Sequence, residues 1–338
     1  MIAQRKVVTF GEVIMRLSPP GYNKMKQSRN LEFYFGGTEM NVAASLAQFG
    51  LEVQHVSNVS NDFVGDAALS CMRGYGIDVA HVSKVSHPLG LYFMEVGSGL
   101  RASQITYNRL HGAFANISPE QVDWEQVLEG CDLLHWTGIS PAISEGAYQT
   151  LKQGLTIALS KGITITADPA YRSNLWQYGR NGHEVLAELV GLSTVFIGGV
   201  NEVNEILGTG FTQGEEGFVQ AAKKLQETCP NITKVYDKVR TGLSATHQKI
   251  FAQSWDGAVY NRTGEIEISQ VVDRIGTGDA YAAGLIYGVL TDMNDTDAIA
   301  FANAACAIKH TIAGDINLAT VTEIAEIAAG NFSGRLKR

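Results

Sequence analysis

A glycine turn that carries a carboxylate is the stretch of this sequence whose residue types most directly suggest chemistry. Residues 273–284 read D-R-I-G-T-G-D-A-Y-A-A-G, so Gly276, Thr277, Gly278 and Asp279 lead into a small apolar helix. Glycines let backbone N–H groups approach an anion, and the positive end of the helix dipole favours negative charge there. A carboxylate in the same turn suits a base that takes a proton from a hydroxyl attacking phosphorus. The alternative is an ordinary N-cap aspartate after a glycine turn.

Several common catalytic motifs are excluded. A dinucleotide-binding fingerprint requires a third glycine three residues after Gly278, where this sequence has Tyr281. A P-loop requires G-K-[ST] at the start of a helix, and the sequence contains none. The zinc-binding patterns H-x-x-x-H and H-E-x-x-H and the G-x-S-x-G elbow of α/β-hydrolases are also absent from the sequence. Any phosphate bound by the turn at Gly278 is therefore held in another way.

A second glycine turn lies near the N-terminus, after an aromatic run. Gly36 and Gly37 are followed by Asn41, within a helical pattern that ends at Gly50. Two glycines at a strand-to-helix junction let the backbone approach a polyhydroxyl ligand, and an asparagine amide both donates and accepts hydrogen bonds. The alternative is a tight turn with Asn41 on the helix surface.

The motifs G-G-x-x-x-N and D-x-x-G-x-G-D, in this order, resemble those of the ribokinase-like family of sugar kinases, over roughly residues 5–330. The resemblance implies that Gly276, Thr277 and Gly278 form the anion hole, that Asp279 is the catalytic base, and that the early motif contacts the sugar. It also implies ATP and Mg²⁺ as cofactors. The nucleotide-binding positions that it implies are Asn201, Lys238, Gly242, Gly276, Gly278 and Asn303.

Composition and apolar patterning predict a soluble α/β enzyme, and the resemblance implies a single kinase domain over residues 1–338. The chain is 45% hydrophobic and 18% charged, and it lacks the run of about 18 apolar residues that a spanning helix needs. Short apolar strands alternate with helical patterns, which indicates a doubly wound, mostly parallel sheet with helices on both faces. Strands are predicted at 7–10, 53–59, 131–136, 163–167 and 195–197, and helices at 62–75, 119–129, 143–160, 200–207, 214–228, 277–291 and 296–310.

Two segments, about 12–36 and 89–112, interrupt this alternation. They are rich in aromatic residues and glycine, and we expect them to form a small β-sheet subdomain. The resemblance implies that such strands form a lid over the sugar, paired with the lid of a second subunit. Because a small sheet with exposed apolar faces needs a partner surface, we expect a homo-oligomer formed through the lid strands. The alternative is an edge extension of the main sheet.

Two arginines suggest an acidic substrate. Tyr107 and Arg109 lie on one face of a predicted strand, and Arg172 follows the strand at 163–167, where open α/β sheets bind ligands. Two guanidinium groups in one pocket suit a carboxylate, although most arginines are surface residues or internal ion pairs. The Y-x-R and D-x-x-Y-R-S-x-L-W runs are similar to those of the 2-keto-3-deoxygluconate kinases within the family. This similarity implies that Tyr92, Tyr107, Arg109 and Arg172 hold the carboxylate and keto end of the substrate.

Three positions depart from the family pattern. Asn204 stands at the glutamate position of the family's N-x-x-E magnesium-water motif, and Glu205 is the neighbouring carboxylate that can substitute, through water. Arg240 lies near one of the two glycine positions of the nucleotide-ribose loop, and Arg274 stands where threonine is common. These departures concern nucleotide and metal binding more than the reaction itself.

The sequence thus predicts an ATP-dependent sugar-acid kinase that phosphorylates 2-keto-3-deoxygluconate at its 6-hydroxyl. A net charge of −8 argues against a nucleic-acid partner, and four scattered cysteines suit reduced thiols in the cytoplasm, with no membrane partner expected. One alternative is a fructokinase or ribokinase-type kinase of a neutral sugar. Another is a non-catalytic sugar or nucleotide sensor built on the kinase fold.

Overall fold

The computed structural model describes residues 5–332 of the chain. The strands are β1 (Lys6–Phe10), β2 (Ile14–Ser18), β3 (Glu32–Gly36), β4 (Glu52–Ser60), β5 (Val82–Val85), β6 (Gly90–Glu95), β7 (Gln104–Asn108), β8 (Leu133–Thr137), β9 (Thr164–Asp168), β10 (Val195–Ile197), β11 (Lys234–Ser244), β12 (His247–Trp255), β13 (Tyr260–Arg262) and β14 (Ile266–Ile268). The α-helices are α1 (Thr38–Gln48), α2 (Phe63–Gly74), α3 (Trp124–Val127), α4 (Glu145–Ser160), α5 (Gly182–Gly191), α6 (Val200–Leu207), α7 (Glu215–Thr228), α8 (Thr277–Leu290), α9 (Asp295–Lys309) and α10 (Val321–Ala328).

The main sheet has the strand order β13-β12-β11-β10-β9-β8-β1-β4-β5, and β14 pairs with β12. From β5 to β11 the neighbouring strands are parallel, whereas β11, β12, β13 and β14 pair in antiparallel fashion. Parallel strands buried on both faces need apolar residues at successive positions, and β1 has them. Val7 packs into one core and Val8 into the other.

Helices cover both faces of this sheet. One core contains apolar residues of α1, α2, α8, α9 and α10, and the opposite core contains those of α3 to α7. Four further strands form a separate sheet in the order β3-β2-β6-β7, which we call the lid sheet. The predicted fold class, a doubly wound and mostly parallel sheet with a small additional β-sheet, is confirmed.

The predicted helix 119–129 is wrong in extent. A 3₁₀ turn occupies Pro119–Gln121, and the short helix α3 begins only after Asp123, whose carboxylate accepts a hydrogen bond from the Gln126 N–H at 3.2 Å. This cap starts a new helix, because an aspartate side chain satisfies an N–H group that a first turn leaves unpaired. Across residues 5–332, no helix has the length and apolar character needed to cross a membrane.

Candidate active site

A cavity of about 620 Å³ opens at the carboxyl ends of the parallel strands. Its walls include residues at or just after the ends of β1, β8, β9 and β10, the N-terminus of α8, and side chains of the lid strands β6 and β7. This is the edge at which open α/β sheets bind ligands. The cavity brings both predicted glycine turns to one place, since Gly37 and Asn41 line it together with Gly276, Thr277, Gly278 and Asp279.

The turn before α8 presents free backbone N–H groups to the cavity. Gly276 has φ +75°, and a Cβ atom there would lie 1.7 Å from the carbonyl oxygen of Asp315, so the close approach requires glycine. Within the described chain no side chain caps α8, and its first backbone hydrogen bond runs from the Ala280 N–H to the Gly276 carbonyl. The N–H groups of Thr277, Gly278 and Asp279 therefore remain available to an anion, at the positive end of a 14-residue helix.

Asp279 lies beside the predicted sugar motif. Its Oδ2 accepts a hydrogen bond from the Asn41 side-chain amide at 2.7 Å. Burial raises the pKa of Asp279 to about 8, and the negative charges of Asp168, Glu39 and Asp315 add to the rise, while the bond from Asn41 opposes it. An aspartate whose pKa lies near neutrality can accept a proton from a substrate hydroxyl.

Three cationic side chains line the cavity near residues 276–279, the turn before α8, which we call the anion turn. Lys238 and Arg240 extend from β11 and Arg274 precedes the turn, and all three line the cavity. Among residues 5–332, none of the three forms an ion pair with a carboxylate within 4.0 Å. Burial and the neighbouring charge of Arg240 lower the pKa of Arg274. Lys238 interacts with the charges of Asp168 and Asp237, whereas Arg240 and Arg274 repel each other and neither is paired with a described carboxylate. Two such arginines are typical of a site for an anionic ligand.

Three carboxylates occupy another edge of the cavity. Asp168 ends β9, Asp237 lies on β11, and Glu202 is in the first turn of α6. Burial raises the pKa of both Asp168 and Asp237 to about 6, and the charge of Glu202 contributes to both shifts. In the described part of the chain no cluster of three or more His, Cys, Asp or Glu side chains is arranged to hold a metal ion. A cation here would be bound mainly through water and ligand oxygens, as Mg²⁺ often is.

The predicted sugar-acid residues have unequal environments. Arg109 is buried and pairs with the buried carboxylate of Glu12. The Tyr92 hydroxyl donates a hydrogen bond to the Asp315 carboxylate, and the ring centroids of Tyr92 and Tyr107 are 5.8 Å apart. Arg172 is exposed, lines the cavity, and donates from Nη1 to the backbone carbonyl of Tyr171 at 2.8 Å. Of the two predicted arginines, Arg172 has the freer guanidinium, whereas Arg109 has formed the internal ion pair considered as the alternative.

Four predicted site residues lie outside the cavity lining. Gly36 is close to it, because a Cβ atom there would lie 3.0 Å from Asn41 Oδ1. Gly242 is at the far end of β11, Asn303 is buried on α9, and Glu205 is exposed on α6. Their roles stay predictions.

Asn204, the departure from the N-x-x-E motif, faces a loop. Its Oδ1 accepts hydrogen bonds from the Phe211 N–H at 2.9 Å and the Thr209 hydroxyl at 2.8 Å, and its amide donates to the Phe211 carbonyl. Three bonds of this kind fix the segment that follows α6. The cavity-lining carboxylate of this helix is Glu202.

Several acidic residues of the site were not identified from the sequence. Glu12 follows β1 by two residues, Asp168 is the last residue of β9, and Glu39 is in the first turn of α1. Glu39 accepts hydrogen bonds from the hydroxyls of Thr38, Thr137 and Ser140, which is why it can be buried. Glu12 forms an ion pair with Arg109 through one oxygen, and its other oxygen is buried without a partner among the described residues. The rule that ligands bind at the carboxyl ends of parallel strands would have selected Glu12 and Asp168.

The sequence matches the pfkB family carbohydrate kinases over residues 4–321. The crystal structure of 2-dehydro-3-deoxygluconokinase from Thermotoga maritima is 32% identical, covers 96% of this chain and 100% of that chain, and has a TM-score of 0.92. The 2-dehydro-3-deoxygalactonokinase of Haloferax volcanii is 27% identical over 331 residues, which are 97% of this chain and 98% of that protein. The 2-dehydro-3-deoxygluconokinase of Bacillus subtilis is 28% identical over 320 residues, 92% of this chain and 91% of that protein.

These matches confirm the resemblance inferred from the two glycine motifs. The family match spans both motifs, the lid sheet and the cavity residues described above. The chain therefore belongs to the pfkB family of carbohydrate kinases.

Proposed function

We propose that the protein is an ATP-dependent kinase of a keto sugar acid, with 2-keto-3-deoxygluconate as acceptor and its 6-hydroxyl as the phosphorylated group. The observation that carries the proposal is the position of Asp279. Its carboxylate lies between the anion turn with its three cations and the sugar end of the cavity, and it is hydrogen-bonded to Asn41. The substrate hydroxyl would donate its proton to Asp279 as its oxygen attacks the γ-phosphorus of ATP, while the bond from that phosphorus to the bridging oxygen breaks and ADP leaves.

The phosphate end of the cavity suits a polyphosphate donor. ATP supplies the transferable phosphoryl group, and the N–H groups of residues 277–279 can hold charge that spreads over it. Lys238, Arg240 and Arg274 face the same region with no carboxylate partner in residues 5–332. Two of the three family departures thus add positive charge at the donor site, which supports nucleotide binding.

The acidic edge of the cavity suits Mg²⁺. Asp168, Glu202 and Asp237 would hold magnesium-bound water, and the ion would reduce the negative charge of the donor. Glu202 is the carboxylate of α6 that lines the cavity, so we propose it for the role that the sequence assigned to Glu205.

The acceptor end suits a sugar acid in which Arg172 holds the carboxylate. Its guanidinium is at the rim of the cavity and has one backbone partner, so several N–H donors remain free. Tyr92, Tyr107 and Arg109 line the same cavity. The relatives named as 2-dehydro-3-deoxygluconokinase and 2-dehydro-3-deoxygalactonokinase support this substrate class.

The Glu12–Arg109 pair favours the second candidate, a kinase of a neutral sugar. A buried glutamate at the sugar end repels a substrate carboxylate, and it already neutralises one of the two arginines. If the pair contacts a keto or hydroxyl group instead, Arg172 alone selects for the acid.

The experiment compares acceptors and arginine variants. ADP release is measured with Mg-ATP and 2-keto-3-deoxygluconate, fructose or ribose, and the product is examined by ³¹P and ¹³C NMR to locate the phosphate. We expect Arg172→Ala to raise KM for the sugar acid roughly 10- to 100-fold, since a charge-assisted contact contributes about 1.5–3 kcal/mol. Arg172→Lys should recover part of the loss, because lysine keeps the charge but not the bidentate fork.

Arg180→Ala is the matched control. Arg180 follows in the same loop, outside the residues that line the cavity, and pairs with Glu145 at 2.8 Å. A parent protein that prefers fructose, or an Arg172→Ala variant that loses both acceptor classes equally, would leave the neutral-sugar kinase as the better description.

The lid sheet supports the predicted homo-oligomer. Phe33 of β3 is an exposed apolar side chain, and it lies on the face of this small sheet opposite to the cavity-lining Tyr107. We propose that a second copy of the chain covers this face, which light scattering at micromolar concentration would show as a dimer or larger species.

The four free cysteines support the predicted cytoplasmic location.

A further inference from the structure

One row of side chains crosses the whole lid sheet. Arg16 of β2 is in register with Tyr34 of β3 and with Tyr92 of β6, and Tyr92 is in register with Tyr107 of β7. Residues in register on neighbouring strands point to the same face of a sheet. The guanidinium carbon of Arg16 lies 5.2 Å from the ring centroid of Tyr34. The row therefore places a buried arginine beside the two tyrosines that we propose for acceptor binding.

Arg16 connects this row to the body of the protein. Its Nη1 donates to Asp273 Oδ2 at 2.7 Å and to Asp315 Oδ1 at 2.9 Å, and its Nε donates to the Ser18 hydroxyl at 2.8 Å. The Tyr92 hydroxyl donates to the other oxygen of Asp315. Arg16 is 2% exposed, so these bonds are made away from water, where they are strong and strongly directional.

The two aspartates that Arg16 holds also contact the anion turn. Asp273 Oδ1 accepts a hydrogen bond from the Ile275 N–H at 3.0 Å, one residue before Gly276. Asp315 contacts the turn with its backbone, because its carbonyl oxygen lies 1.7 Å from where a Cβ atom of Gly276 would be. Displacing either aspartate would therefore move the N–H groups that follow Gly276.

The network is electrically balanced, which explains how it is buried. Lys309 is fully buried, donates to the Ile312 carbonyl at 2.9 Å, and interacts with the charges of Asp273 and Asp315. Two cations thus face two carboxylates behind the turn. Removing Arg16 leaves an excess of buried negative charge, which is strongly destabilising in typical proteins.

We propose that Arg16 is a positioning residue that couples the lid to the anion turn, so that a sugar beneath the lid strengthens binding of the donor's phosphates. This inference rests on the proposed function only in requiring an acceptor sugar under Tyr92 and Tyr107. The sugar packs against the tyrosine row, the row fixes Arg16, and Arg16 holds Asp273 and Asp315 where the turn is complete. The coupling is reciprocal, because each ligand must change the affinity of the other by the same factor.

The test measures ADP binding by calorimetry, with and without a saturating concentration of whichever acceptor the panel shows to be phosphorylated. We expect the parent to bind ADP at least about fivefold more tightly with the sugar present, the low end of usual coupling factors. Arg16→Lys keeps the charge but cannot hold Ser18 and both carboxylates in one plane, so the factor should fall below about twofold. At saturating sugar, KM for ATP should rise and kcat should fall, whereas KM for the sugar changes less.

Arg101→Lys is the control, since Arg101 also belongs to the lid region but donates to the Tyr22 carbonyl and not to the turn. It should retain the parent's coupling factor. Ser18→Ala removes the hydrogen-bond partner of Arg16 Nε and leaves both carboxylate contacts of Arg16 in place, so its coupling factor should lie between those of the parent and Arg16→Lys. This variant keeps the test decisive if Arg16→Lys proves unstable. A parent with a factor of one, or a Ser18→Ala or folded Arg16→Lys variant with the parent's factor, would overturn the proposal. If the parent protein does not phosphorylate the sugar acid, that result counts against the proposed substrate and not against the coupling. The coupling is measured with whichever sugar the enzyme phosphorylates.

Discussion

Replacing Asp279 with asparagine should stabilise the folded protein at alkaline pH while it removes most of the turnover. Burial raises the pKa of Asp279 to about 8, compared with about 3.9 for an aspartate in an unfolded chain. A raised pKa in the folded state means that the protonated form fits the site better. The stability linked to Asp279 is therefore fully present below about pH 4 and is lost as pH rises through about 8. Asparagine resembles the protonated form at every pH.

The size of the effect follows from this pKa difference. Each unit corresponds to about 1.4 kcal/mol, so a fully buried carboxylate would gain at most about 5–6 kcal/mol on neutralisation at pH 9. Asp279 lines an open cavity and is only half-buried, and solvent screens part of this penalty. We expect about 2 kcal/mol, which for a chain of this length raises the melting temperature by roughly 3 °C.

The assay is thermal and denaturant unfolding at pH 5, 7 and 9, together with steady-state kinetics. Asp66→Asn is the matched control, since Asp66 is an exposed carboxylate on α2 that pairs with Lys84 and is not among the residues that line the cavity. Turnover of Asp279→Asn should fall by roughly two or more powers of ten. A gain in stability of equal size at pH 5 and pH 9, or near-normal turnover, would refute the reasoning.

Three further predictions concern the metal edge, the loop after α6 and the core. Glu202→Gln should raise the Mg²⁺ concentration for half-maximal activity more than Glu205→Gln does, because Glu202 lines the cavity; equal titrations would reject this. Asn204→Ala should lower the free energy of unfolding by roughly 1–2 kcal/mol with the Mg²⁺ titration unchanged, since its bonds fix the loop. Burial lowers the pKa of His55 to about 4 and of His135 to about 3, so both are neutral when folded. Stability, measured by urea unfolding, should fall by about 1.4 kcal/mol per pH unit per histidine as pH decreases below about 6.5, and His55→Gln should reduce that slope.

Local patterns were sufficient for the elements around the anion turn. The predicted helix 200–207 coincides with α6, and 277–291 exceeds α8 by one residue. Both helices follow a turn with glycine and carry apolar residues at helical spacing, so propensity and burial agree. The hairpin of β11 and β12 was not predicted, because the run from Lys238 to Ser244 lacks apolar alternation. The side chains of this run face the cavity and the solvent, so the run does not show the alternation of apolar and polar residues that is expected of a half-buried strand.

The features of the site that could not be predicted from the sequence depend on ion pairs between residues that are distant in the chain. Arg109 and Glu12 are far apart in the chain, and neither residue's neighbours indicate that the other will neutralise it. Arg16 likewise meets Asp273 across almost the whole sequence. Residue type alone makes Arg109 a candidate for a substrate carboxylate, whereas its partner decides how much charge it can offer.

The charge arrangement of the cavity gives the two arginine departures a physical role. A base next to a polyanionic donor faces a difficulty, because each added negative charge raises the pKa of Asp279 further and keeps it protonated. Carboxylates already surround Asp279, and its pKa is already raised. Under the proposed function, Lys238, Arg240 and Arg274 would offset the donor's charge at the turn itself, so that Asp279 could lose its proton while the phosphates are bound. On this reasoning the donor and its cations act as a unit, and removing Arg240 or Arg274 should affect the protonation of Asp279 as well as nucleotide affinity.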